Sequence, residues 1–163
     1  MITQERLKEL LQYNQNTGVF TRISTKKVAK GAFCGLGHRQ IMIDKSRYYM
    51  HRLAWLYVYG EWPKYVIDHI NGVRDDNRIK NLRDVKEGDN FKNCAISKTN
   101  TSGVTGVSFI KKHKTWKAYI CVDYKLINLG SFEVKDDAIS ARKNAEIKYG
   151  FHKNHGRKSE VNI

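Results

Sequence analysis

Proline occurs once in the 163 residues and cysteine three times, and no apolar run approaches the ~18 residues that a membrane-spanning helix needs. One proline and 11% aromatic residues argue against disorder, and 40% hydrophobic residues are enough for modest cores. Cys34, Cys94 and Cys121 are widely separated and form no C-x-x-C. That pattern excludes a disulfide framework and a cysteine zinc knuckle, and it points to reduced thiols in a cytosolic protein. The amino-terminal MITQERLKELLQY is charged and amphipathic, without a signal-peptide core. An intracellular, soluble protein is expected. Acidic residues are scarce as well. Thirty Lys and Arg stand against 16 Asp and Glu, giving a net charge of +14 and a pI near 9.7. In a chain this short, such an excess favours a polyanionic partner, most often nucleic acid. Residues 1–97 carry 17 basic against 10 acidic residues and residues 98–163 carry 13 against 6, so each part is +7. Both parts are expected to touch the same polyanion.

The pattern along the chain gives short, mixed elements. Residues 3–12 read as a helix with Leu7, Leu10 and Leu11 on one face and Thr3 as N-cap. NQNTG is a turn, GVFTRI a strand, and residues 23–38 a basic loop. RQIMI and RYYM, separated by DKS, form a hairpin, and HRLAWLYVYG a short helix stopped by Gly60. KYVIDHI is a strand, NG a tight turn, DDNRIKNL an irregular loop, RDV a second strand and KEGDNFKNCAI a helix. The polar SKTNTSG at 97–103 reads as a linker. VTGVSFI, TWKAYICV and KLINLGSF then read as three strands, and KDDAISARKNAEIKYG as a helix with an apolar stripe of Ala138, Ala141, Ala145 and Tyr149. The tail from residue 151 is basic and polar.

Chemistry concentrates in VIDHINGVRDDNRIKNLR, residues 66–83. A core strand has no use for Asp68 beside His69, whereas a site that cuts a phosphodiester needs a divalent metal and a base for water. A carboxylate and an amide oxygen suit Mg²⁺ or Mn²⁺, and histidine is the natural general base near neutral pH. Adjacent strand residues point to opposite sides, so the two can serve one reaction only where the strand twists or ends. The NG turn permits that.

IDHINGxxxDNRxxNLR, with the upstream HRLAWLYVYGEWP and the following DNFKN, resembles the HNH endonuclease family of phage and intron homing enzymes. The resemblance implies a ββα-metal finger over residues 51–97. It implies His69 as the base that activates water, Asp68 as a metal ligand, Asn81 as the residue that shapes the loop and orients the histidine, and Asn90 as the second metal ligand. Asn93 either supports the site or contacts phosphate. Asn90, where the family name has histidine, favours a single catalytic Mg²⁺ or Mn²⁺ over a histidine-bound zinc, and no structural zinc is expected. Arg52, Arg74, Arg78 and Arg83 flank the site and, as a group, are expected to hold backbone phosphates. His51 either faces the site or serves the helix start.

Residues 102–150, with TGV, Trp116 before Ala118, LGSF at 129–132 and the alanine-rich helix, resemble the APETALA2-type DNA-binding domain. That implies a three-stranded sheet that enters the major groove. Lys111, Lys112, Lys114, Lys117 and Lys125 are the phosphate contacts, with Ser108, Tyr119 and Asn128 as weaker candidates for base contact. Trp116, Leu129 and Phe132 are read as core. The expected fold class is α+β: an amino-terminal α/β module (1–50), the HNH finger (51–97), a linker (98–103), the APETALA2-like sheet and helix (104–155) and a basic tail (156–163). Arg22, Lys26, Lys27 and Lys30 are further DNA contacts of the first module. The chain then reads as a metal-dependent, site-directed endonuclease on double-stranded DNA, acting in the cytoplasm of a phage-infected bacterium. It has no membrane partner, and a monomer is favoured if it nicks. The rivals are a non-catalytic DNA-binding regulator that keeps the HNH fold as scaffold and an RNA-binding or ribosome-associated basic protein.

Overall fold

The computed structural model describes residues 1–35, 37–86 and 90–158. It is a mixed α/β chain whose strands form four small antiparallel sheets. Contacts cluster into two compact units, Met1–Glu87 and Gly88–Ile163. The first unit runs α1 (Gln4–Leu10), β1 (Leu11–Asn14), β2 (Val19–Arg22), β3 (Ala32–Phe33), β4 (Arg39–Ile43), β5 (Ser46–Tyr49), α2 (Met50–Tyr59), β6 (Val66–His69) and β7 (Leu82–Val85). The second holds β8 (Val107–Ile110), β9 (Thr115–Val122), β10 (Lys125–Phe132) and α3 (Lys135–Lys148). Among the described residues no helix is long and apolar enough to cross a membrane.

Thr3 caps α1, its Oγ1 accepting from the Arg6 N–H at 3.2 Å. The helix ends before the residue 12 expected from the leucine spacing, because Leu11 is already extended. Leu11 and Tyr13 enter the core by strand alternation. The Asn14 side chain accepts from the N–H groups of Asn16 and Thr17 and so builds the turn into β2. In the β4–β5 hairpin Ile43 pairs with Ser46, so the loop is Asp44-Lys45 alone, one residue shorter than expected. Both have positive φ, 46° and 64°, the primed-turn geometry that matches strand twist. The segment expected as a loop at 23–38 contains β3 and a single bridge, Thr21 to Val28. Gly60 ends α2 in the left-handed region and donates to the Leu56 carbonyl.

One apolar cluster serves the whole first unit. Leu7, Leu11, Phe20, Ile41 and Ile43 share it with Leu53, Leu56, Ile67 and Leu82. The first fifty residues are therefore built into the same core as β6 and β7.

In the second unit the three strands and the helix fall where the sequence places them. The order is β10-β9-β8, with a bulge between Asn128 and Gly130. Val107, Ala118 and Ala138 form the buried centre, with Trp116, Leu129 and Phe132 packed against it. The buried stripe of α3 is Ala138, Arg142, Ala145 and Glu146, so two charged residues stand where an apolar face is expected. Arg142 is satisfied there by Glu146 at 2.9 Å, the Tyr119 carbonyl at 2.7 Å and His155 at 3.1 Å. Residues 97–103 cluster with this unit and carry their own bonds. The Ser102 hydroxyl donates to the Val104 carbonyl at 2.9 Å, and Asn100 Oδ1 accepts from the Gly103 N–H at 2.7 Å. Residues 87–89 of the helix expected at KEGDNFKNCAI lie outside the described residues. In the described part Asn90 is helical, Phe91–Asn93 form a 3-10 turn, and Cys94 is extended.

Gly18, at φ +73°, lies so close to the Asn77–Arg78 peptide that a Cβ would sit 2.6 Å from Arg78 N and from Asn77 C. Gly18→Ala should destabilise the chain by more than about 2 kcal/mol, because both the left-handed conformation and a backbone clash oppose it. Thermal melts of the two proteins would measure that loss, and an unchanged midpoint would mean that the turn can shift freely.

Candidate functional site

β6 and β7 pair with Asp68 opposite Arg83 and His69 opposite Leu82. Cross-strand partners share a face, so Asp68 and His69 project to opposite sides of the ladder. On one side Asp68, 8% exposed, is held by Arg83, whose Nη2 and Nε lie 2.7 and 2.8 Å from its Oδ2. On the other, His69, 3% exposed, meets Asn77 Oδ1 at 3.3 Å through its Nε2. With the amide oxygen on that side, the contact suits a proton on Nε2.

The loop between the strands has little apolar surface to hold it and is shaped by polar bonds. Asn81 links three points. Its carbonyl accepts from the Ile70 N–H, its Oδ1 from the Asn71 N–H at 3.0 Å, and its Nδ2 donates to the Asp76 carbonyl at 2.8 Å. Asp76 in turn accepts from Asn71 Nδ2 and Arg78 Nε, both at 2.7 Å. Gly72, at φ +76°, donates to the His69 carbonyl and closes the NG turn. Asn77 is fixed from the core side, where the Tyr13 hydroxyl donates to its carbonyl at 2.6 Å.

His38, ahead of β4, and His51, in the first turn of α2, pack on His69. Ring centroids are 5.5 Å apart for His38–His69, 5.3 Å for His51–His69 and 4.7 Å for His38–His51. One ligand nitrogen from each lies within 4.8 Å of the others. Burial depresses all three. His38 falls to about 4, pushed further by His69 and Arg74, His51 falls to about 3, pushed further by His38 and His69, and His69 is lowered by burial against the opposing pull of Asn77 and Asp68. All three are neutral at pH 7.

The structure brings Asp68, His69 and Asn81 into one strand–loop–strand segment of the first unit, while Asn90 and Asn93 belong to the second unit. Asn93 is 2% exposed, and Arg157 Nη1 lies 3.1 Å from its Oδ1. Arg52 is engaged inside the protein with the Pro63 and Tyr65 carbonyls, Arg78 with Asp76 and Arg83 with Asp68. Arg74 is exposed, as are Arg22, Lys26, Lys27 and Lys30. Lys111, Lys112 and Lys114 are exposed in the β8–β9 turn, and Lys125 is exposed at the start of β10. Ser108 pairs with Lys117, Lys117 with Ser131 and Tyr119 with Asn128, so these candidates share the sheet face that Val107 and Ala118 do not use. Sequence reasoning gave no role to His38, Asn77 or Asp76. Asn77 stands in the quoted DNR and was open to notice, whereas His38 has no spacing signal.

A family model described as HNH endonuclease matches residues 48–91. Over 82 residues the chain is 34% identical to "Protein 3.8" of Escherichia phage T7, an alignment that covers 50% of this chain and 68% of that protein. No solved structure matches it.

The depressed histidines carry a linkage with stability. Unfolding returns them to about 6.5, so the unfolded chain binds more protons between that value and the folded values near 4 and 3. Stability is full above about pH 6.5 and falls as the pH drops through that window. Melts in EDTA at pH 7.5 and pH 5 should show a lower midpoint at pH 5, and His51→Gln should reduce the difference.

Proposed function

The chain belongs to the HNH endonuclease family, and on that premise we propose that it is a metal-dependent endonuclease of the phage homing type acting on double-stranded DNA. The observation that carries this reading is His69: a buried imidazole kept neutral at the end of a strand, its Nε2 against Asn77, one residue from a buried carboxylate. A neutral imidazole with a directed lone pair is what proton removal from water requires.

In this reading His69 takes the proton from the attacking water. Asn81 holds the turn that aims the ring, and Asn77 keeps the proton on the nitrogen away from the reaction. The donor chemistry of Asp68, a carboxylate oxygen, fits a hard divalent cation. When bound, Mg²⁺ or Mn²⁺ supplies charge stabilisation at the phosphoryl group and at the leaving oxygen. Arg83, held to Asp68, keeps that carboxylate oriented until the ion is taken up. The second unit is the DNA reader, an APETALA2-like sheet in this proposal. Its exposed lysine turn meets phosphates, and Ser108, Tyr119 and Asn128 face the bases. Tethering a reader to a small cutting site raises the local concentration of the nuclease at the bound sequence. The working compartment in this proposal is the cytoplasm of the infected bacterium.

Supercoiled plasmid incubated with Mg²⁺ or Mn²⁺ should be nicked or linearised by the wild type and left intact in EDTA. His69→Ala should slow cleavage by roughly 10²–10⁴-fold while DNA binding persists. Wild-type protein that binds DNA and leaves it intact with both metals would instead support the non-catalytic regulator. Changing Lys111, Lys112 and Lys114 together to Ala should weaken binding to all sequences alike and lower the slope of log affinity against log salt by roughly 2–3. A loss confined to one sequence would point to base reading by these lysines.

A further inference from the structure

His38, His51 and His69 come from three separate elements and converge with one nitrogen each inside a 4.8 Å limit. Three neutral imidazoles gain little from one another, and their burial is not repaid by hydrogen bonds alone. The Nδ1 atoms of His38 and His51 are buried with no hydrogen-bond partner among the described residues, although His51 is only 7% exposed. A buried polar atom left in that state is destabilising. Tyr49 stacks on His51 at 5.3 Å and packs edge-on to His38 at 5.9 Å, which limits how far either ring can turn away.

We propose that these three histidines form a site for a borderline divalent transition-metal ion, Zn²⁺ foremost, distinct from the oxygen-ligand site of Asp68. Zn–N bonds of about 2.0–2.1 Å at tetrahedral angles put ligand nitrogens roughly 3.4 Å apart. The rings reach that spacing from within 4.8 Å by small rotations. Three imidazoles without a carboxylate favour Zn²⁺, Co²⁺ or Ni²⁺ over Mg²⁺, and the fourth tetrahedral position is left for water. This replaces the expectation, drawn from the sequence, that no zinc is held. The inference also deepens the function proposed above and, for its consequence, rests on it: a His69 whose lone pair is on a metal cannot take a proton from water. Zinc therefore holds the nuclease off, and loss of zinc restores it.

The test uses the full chain, stripped with EDTA and titrated with Co²⁺ and Zn²⁺. The wild type should bind one Co²⁺ with the visible bands of tetrahedral coordination, and stoichiometric Zn²⁺ should displace it. His38→Ala and His51→Ala should each weaken Zn²⁺ binding at least 30-fold, with far-ultraviolet circular dichroism to show that they fold. Should either unfold, protection of the wild-type histidines from diethylpyrocarbonate by Zn²⁺, mapped by mass spectrometry, decides the same point. Absence of Co²⁺ bands, or Zn²⁺ affinity unchanged in a folded double variant, overturns the site. In the plasmid assay with Mg²⁺, one equivalent of Zn²⁺ should cut the wild-type rate at least tenfold. Undiminished cleavage at saturating Zn²⁺ overturns the off-switch. If the protein binds Co²⁺ as described yet never cleaves, the nuclease reading fails while the metal site stands. Cleavage without any Co²⁺ binding means the reverse.

Discussion

The loop between β6 and β7 depends on Asn81. Few apolar side chains anchor this stretch, and polar groups taken out of water cost free energy unless they find partners. Asn81 bonds Ile70, Asn71 and Asp76, and Asp76 passes the constraint to Asn71 and Arg78. Because those bonds fix where β6 ends, they also fix where Asp68 and His69 point. A loop held this way has a narrow set of conformations and little tolerance for a missing partner. Tyr13 and Gly18 extend the same constraint into the apolar core, through the carbonyl and the backbone of Asn77.

Much of the fold was legible because its signals are local. The Thr3 cap, the asparagine turn, the left-handed Gly60 and the three strands and helix of the second unit each follow from a few adjacent residues. What escaped was non-local or too short. β3 has two residues and no period to detect. The α1 helix ran too far because Leu10 and Leu11 fit a helical face, while packing drew Leu11 into a strand. The charged pair inside α3 was missed because Arg142 is paid for by Glu146, by His155 and by a carbonyl of β9, none of which helical spacing alone can reveal. In the candidate site, Asp68, His69 and Asn81 were marked by their pattern. The convergence of His38 and His51 on His69 depends on how α2 and the approach to β4 pack, and no run of sequence records it.

The two sides of the β6–β7 ladder separate two kinds of chemistry. One presents a carboxylate tied to a guanidinium, and the other a group of imidazoles screened from water. Strand alternation sets adjacent residues on opposite sides, and β6 ends at His69, where the two sides come closest to a common space. The ion pair on the first side keeps charge where charge is useful. Burial on the second keeps it away.

The shared core of the first unit bears on how such a protein can be inherited. Leu7, Phe20 and Ile41 pack in the same cluster as Leu53, Ile67 and Leu82. A gene fragment beginning at α2 would carry the Asp-His pair and its loop but leave half of their apolar support behind. The Asp-His segment is therefore not a cassette that can be spliced into another protein by its motif alone. What recombination can move intact is the whole span up to β7, and a new host must accept the first fifty residues along with the motif.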